Sequence, residues 1–275
     1  MTPGTQGTVD SGGSGMDRRQ FFAASSLTAG AAVLPAALTD AAAVPGREFY
    51  ELRLYRVAGE AQQKALVAFL RDAALPAMNR IGINPVGVFT PLEDASDLTV
   101  YVLMPHQTLD SVATATARML ADEAFRRDGR AFLEVPSAKK GYERIESSLL
   151  LAFEGVPKLE VPPRRPERVF QLRCYESHSV LAGQKKIDMF NKGGEIAIFR
   201  KTGLSPVFFG EMLIGKNLPN LTYMLSFPDQ NALRVGWQKF VADPEWDKLK
   251  ADPQYADTVS KIHNIVLRPL ACSQI

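Results

Sequence analysis

Glu51-Leu52-Arg53-Leu54-Tyr55 and Gln171-Leu172-Arg173-Cys174-Tyr175 are one short pattern written twice, 120 residues apart in a chain of 275. In the first copy Tyr50, Leu52 and Leu54 alternate with Glu51, Arg53 and Tyr55, the period of two that marks a strand with unlike faces. The match continues downstream in the same order. Gly82-Ile83-Asn84-Pro85-Val86 meets Gly203-Leu204-Ser205-Pro206-Val207, and Asp97-Leu98-Thr99 through Met104-Pro105 meets Asn220-Leu221-Thr222 through Phe227-Pro228. Asp122-Glu123-Ala124-Phe125 then meets Asp243-Pro244-Glu245-Trp246. Ordered matches at a nearly constant offset mark an internal duplication.

Each copy reads as β-α-β-β-α-β. After the first strand, Leu66, Phe69, Leu70 and Ala73 sit at helical spacing between Ala61 and Arg80, and the second copy repeats this through Ile187, Phe190 and Phe199. The Gly-x-x-Pro that follows ends each helix, because glycine takes the left-handed C-terminal position and proline cannot continue the helix. Leu98 to Met104 and Leu221 to Phe227 are β-rich runs, Leu233, Trp237, Phe240 and Val241 trace a helix, and Leu149–Phe153 and Ile265–Leu270 are closing strands. Trp237, Phe240, Trp246 and Leu249 are read as core packing between helices and sheet. Domain bounds follow: a leader over 1–43, a first repeat over 44–154, a proline-rich linker over 155–167 and a second repeat over 168–275.

The fold class is therefore α+β, tandem ferredoxin-like βαββαβ repeats. A ferredoxin-like sheet leaves one face uncovered, so the two sheets are expected to face each other as an intramolecular dimeric α+β barrel with helices outside and a lumen between. If Leu52, Leu54, Leu172 and Cys174 turn toward the helices, then Glu51, Arg53, Tyr55, Gln171, Arg173 and Tyr175 line that lumen.

The Tyr-x-Glu-Leu-Arg-x-Tyr type of strand opening each half, Gly-x-x-Pro-Val followed by Phe, and the late Asp243-Pro244-Glu245-Trp246 before a terminal apolar strand resemble the NIPSNAP family. The resemblance spans the mature chain and is strongest in Phe170 to Tyr175, Gly203 to Phe209 and Asp243 to Leu249; Asp122-Glu123-Ala124-Phe125 departs from it in lacking Pro and Trp. It implies a dimeric α+β barrel shared with cofactor-free monooxygenases and haem-handling relatives, and it supplies no settled catalytic residues.

Arg53 and Arg173 with Tyr55 and Tyr175 are the lead ligand-binding constellation, since two guanidinium groups and two phenols in a half-enclosed space suit a carboxylate or an aromatic ligand. The competing reading pairs Arg53 with Glu51 and nearby acids, with no ligand at all. Glu211, after Phe208-Phe209-Gly210, is a candidate lumen base, against a plain edge glutamate. His178 and His263 are weaker candidates: the last strand runs beside the first, so they are expected near each other, as a metal pair or proton shuttle. No third ligand has a suitable spacing, so neither a metal nor a cofactor is expected. His106, in a Pro-His-Gln turn, has no evident partner. Cys174 and Cys272 form no CxxC or CxxH pattern and fall out of register for a disulfide.

Met16 to Ala43 reads as an export signal: Asp17-Arg18-Arg19-Gln20-Phe21-Phe22, a mildly apolar run to Leu38, and Ala41-Ala42-Ala43 as cleavage site. The paired arginines resemble a twin-arginine signal, which implies a periplasmic or extracellular location; Met16 is a second candidate start. The apolar run is too short and weak for a membrane span. With 32 Lys and Arg interspersed among 30 Asp and Glu, for a net charge of +2, no basic run suits nucleic acid. Walker, GxGxxG, GxSxG and HExxH patterns are absent from the sequence. Three functions remain in view: small-molecule binding in the lumen, cofactor-independent monooxygenase or isomerase chemistry, and a non-catalytic scaffold. A homo-oligomer is left open.

Overall fold

A computed structural model describes residues 46–275, so the export signal read over residues 16–43 lies outside the described residues. The first repeat runs β1 (Phe49–Arg56), α1 (Glu60–Phe69), α2 (Leu75–Arg80), β2 (Gly87–Pro91), β3 (Val100–His106), α3 (Leu109–Ala121), α4 (Glu123–Asp128), α5 (Arg130–Leu133) and β4 (Arg144–Ala152). The second runs β5 (Val169–Glu176), α6 (Val180–Asn191), α7 (Glu195–Thr202), β6 (Ser205–Ile214), β7 (Asn220–Phe227), α8 (Gln230–Val241), α9 (Pro244–Lys250) and β8 (Lys261–Pro269). Where one long helix is expected through Phe190 and Phe199, Gly194 takes φ 90° and splits it into α6 and α7. In the first repeat a wider π-type turn at Leu70–Ala74 joins α1 to α2.

All eight strands close into one barrel in the order β1-β3-β2-β8-β5-β7-β6-β4. The repeats thus do more than face each other: β2 hydrogen-bonds to β8 and β4 to β6, so no strand edge is left open. Gly82 and Gly203, ending the first helical layer of each repeat, adopt φ of 84° and 90°, as the Gly-x-x-Pro motif requires.

The strand alternation holds, but its faces are exchanged. Leu52, Leu54 and Leu172 point into the barrel with Tyr50, Phe89, Phe170 and Phe208, while Tyr55 and Tyr175 belong to the two separate cores beneath the helices. Glu51, Arg53 and Tyr55 lie under the helices of the first repeat; Gln171 and Arg173 lie under α8, against Trp237. The assignment of these residues to the lumen is therefore corrected. Hydration decides it: strands surround the lumen on every side, so charges there would lose water, whereas helices cover the outer faces only in part. Burying a leucine such as Leu52 contributes about 1.5–3 kcal/mol, and several do so at once.

Candidate functional site

Glu51 and Arg53, two residues apart on one strand, project from the same face of β1 and can meet without any turn. Arg53 Nε and Nη2 both donate to Glu51 Oε1, at 2.9 and 2.7 Å, and Ser147 Oγ on the neighbouring β4 donates to the same oxygen at 2.6 Å. Arg53 Nη1 lies 3.3 Å from the Tyr55 hydroxyl. Burial works against the charge on Arg53, but Tyr55 and Glu51 more than reverse this and raise its pKa.

Behind Glu51 stands a residue whose partner the sequence does not show. His106 ends β3 on the helix-facing side, fully buried, with Nε2 3.9 Å from Glu51 Oε2 and without a hydrogen bond. Thr108 caps α3 by accepting from the Ser111 amide, and this places Ser111 Oγ 2.9 Å from His106 Nδ1. Burial pulls the imidazole below its usual range and Arg53 adds to the fall, against an upward push from Glu51. The ring is held neutral, with one nitrogen uncommitted.

Over this floor the helices leave a cavity of about 400 Å3, walled by Phe69, Met78, Met119, Phe125 and Phe132 and open past Leu120 and Leu133. Phe69 and Phe132 stack with ring centroids 4.2 Å apart, and Tyr142 meets Tyr55 edge-on at 5.6 Å. A polar floor, aromatic walls and an apolar rim form a pocket for a small molecule with an apolar body and a polar head.

The matching space in the second repeat is filled. Trp237 Nε1 donates to Gln171 Oε1 at 2.6 Å, Gln171 Nε2 donates to Asn264 Oδ1 at 2.7 Å, and the Arg173 guanidinium lies 4.5 Å from the Trp237 ring centroid. Tyr223 donates to the Tyr175 hydroxyl at 2.8 Å. Burial also lowers the ease of charging Arg173, and Tyr223 and Tyr175 outweigh it. Through the strand registers Gln171 answers Glu51, Asn264 answers Ser147 and Phe227 answers His106. Only the first of these matches shows in the aligned repeats: the sequence pairs Phe227 with Met104, and the strand registers, shifted by two residues there, set it opposite His106.

The remaining candidates are separated. Glu211 pairs in register with Leu221, a member of the helix-side core of the second repeat, so it lies outside the lumen. His263 takes Glu176 as partner, while His178 sits exposed after β5, so the expected pairing of the two histidines is not formed. Cys174 lines the barrel and Cys272 packs on the first repeat's helix-side core; both are free thiols. No group of three metal-ligating side chains occurs among the described residues, and no helix among them is long and apolar enough to cross a membrane.

The NIPSNAP family model matches residues 50–154 and again 170–274. No curated protein matches the chain. Among solved structures, a provisionally assigned monooxygenase from Fusobacterium nucleatum superposes with a TM-score of 0.51 at 8% identity, covering 82% of this chain and 93% of its own. Another from Lactobacillus acidophilus does so with a TM-score of 0.53 at 10% identity, covering 81% and 94%. A NIPSNAP-like domain protein from Burkholderia xenovorans, 20% identical, covers 38% of this chain and 87% of its own, with a TM-score of 0.34. At these identities the two full-length superpositions show a shared fold.

Proposed function

The chain belongs to the NIPSNAP family, and from that premise we propose that it binds a small hydroxylated aromatic molecule in the helix–sheet cleft of its first repeat. The observation that carries the reading is the asymmetry between the repeats: the first keeps an open cavity over Glu51, where the second is plugged by Trp237. Glu51 Oε1 is occupied by Arg53 and Ser147, which leaves Oε2 to accept from a ligand hydroxyl. The aromatic walls would cover the ring, and about 400 Å3 suits a molecule of one or two rings. Titration with α-naphthol, followed by its fluorescence, tests this. Saturable binding is expected in the native chain, with loss in Thr116→Trp, which places an indole in the cleft, and weakening of roughly tenfold in Glu51→Gln. Undiminished binding in a folded Thr116→Trp protein would remove the proposal.

His106 favours a second reading, a cofactor-independent monooxygenase or isomerase. A neutral imidazole behind Glu51 is suited to receive a proton relayed from a bound phenol or enol. The fold shared with two provisionally assigned monooxygenases agrees with this reading. Oxygen consumption with an added dihydroxynaphthalene, abolished in His106→Phe, is its test.

We further infer that the protein acts outside the cytoplasm. Arg18-Arg19, the weakly apolar run behind them and Ala41-Ala42-Ala43 support export by the twin-arginine route. Residues 1–43 fused to a folded reporter should carry it across the membrane, and the Arg18→Lys, Arg19→Lys double variant should not.

A further inference from the structure

The lumen itself is plugged at one end and open at the other. Tyr50, Phe89, Phe170 and Phe208, all fully buried, fill the end where β1 and β5 begin. Toward the ends of those strands the barrel widens into a cavity of about 670 Å3, walled by Leu52, Leu54, Leu172, Met212 and Ile265. Both repeats contribute, and the wall is largely aliphatic, unlike the aromatic cleft on the opposite face of β1. Two cations stand at the mouth. Lys216 Nζ lies 3.0 Å from Glu146 Oε2, and Arg144 is exposed without an ion pair among the described residues. Across the opening His263 Nε2 and Glu176 Oε1 hydrogen-bond to each other.

We propose that the barrel mouth is a second binding site, for an anionic amphiphile whose aliphatic chain enters the lumen and whose carboxylate meets Arg144, Lys216 being held by Glu146. The cavity lies within the range of ordinary ligand pockets, and each methylene moved from water onto this wall contributes about 0.8 kcal/mol, so the chain supplies most of the affinity. The carboxylate sets orientation, at a solvated rim where a charge contact is worth little by itself.

The probe is dansyl-labelled undecanoic acid, titrated into the full chain. Saturable, blue-shifted emission is expected. Ile265→Trp should weaken it by roughly tenfold or more, Arg144→Glu by a few-fold, and Thr116→Trp, which closes the other site, should leave it unchanged. Where Ile265→Trp does not fold, Cys174 reports instead, since its thiol lines the same cavity. In a Cys272→Ser protein, dodecanoate should slow alkylation of Cys174 by N-ethylmaleimide. No saturable binding, binding lost in Thr116→Trp, or unprotected Cys174 would each overturn the proposal.

Discussion

Thr116 and Trp237 occupy the same place in the two repeats, each eight residues past the residue capping its helix, Thr108 for α3 and Asp229 for α8. One leaves a cavity and the other fills it. Trp237→Thr should therefore cost about 3 kcal/mol, the loss of a large half-buried side chain together with an unpaired Gln171 oxygen. Thr116→Trp should change stability by less than about 1 kcal/mol, because room for the indole already exists. Urea unfolding of both variants measures this, and equal costs would mean that the two clefts are packed alike.

The orientation of β1 makes a second prediction. Leu52 faces the barrel interior at 5% exposure, so Leu52→Glu would put a carboxylate on the apolar wall of the lumen, largely out of water and with no partner charge beside it on β1. Loss of about 4 kcal/mol or outright failure to fold is expected. Ile145→Glu, on the helix-facing side at the open cleft and 38% exposed, should cost under about 1 kcal/mol. Thermal melting of the two proteins tests the assignment of faces directly.

Much of the architecture was legible because it rests on period and order. The repeat offset, the Gly-x-x-Pro stops and the alternation in Tyr50 to Tyr55 gave the strands, the duplication and the expectation of a barrel. The phase of the alternation was not legible. A period of two names two faces without saying which is inside, and Glu51-Leu52-Arg53-Leu54 reads equally well either way. The lumen-facing side of β1 and β5 is the apolar one, in Tyr50, Leu52, Phe170 and Leu172, and the charges take the side beneath the helices. His106 was invisible for another reason: its relation to Glu51 depends on β3 pairing with β1, a contact that local spacing cannot show.

Lys186 and Glu195 form a buried ion pair in the second repeat, Nζ to Oε2 at 2.7 Å with side chains 5% and 2% exposed. Burial pushes the Glu195 carboxyl up, and Lys186 holds it down against that push. Such a pair is worth little relative to apolar packing, yet breaking it strands a charge. Glu195→Leu alone should cost about 3–5 kcal/mol, whereas Lys186→Met combined with Glu195→Leu should recover most of the loss. A double-mutant cycle by urea denaturation checks this, and additive costs would contradict it.

The depressed pKa of His106 links stability to pH, with burial the main cause and Arg53 adding to it. A histidine harder to protonate in the folded state than in the unfolded one binds fewer protons when folded. Its stabilising effect is complete above the unfolded value of about 6.5 and declines as pH falls from there toward the lower folded value. Glu51, 3.9 Å away, moderates the decline because it favours the imidazolium. Replacing His106 with Phe, the residue found at the matching position of the second repeat, removes the titrating group while keeping a flat apolar ring against the helices. Unfolding free energies measured from pH 7.5 to 5 should fall more steeply for the native chain than for His106→Phe. Parallel curves would show that His106 protonates as easily folded as unfolded, and its role as a neutral base behind Glu51 would go with them.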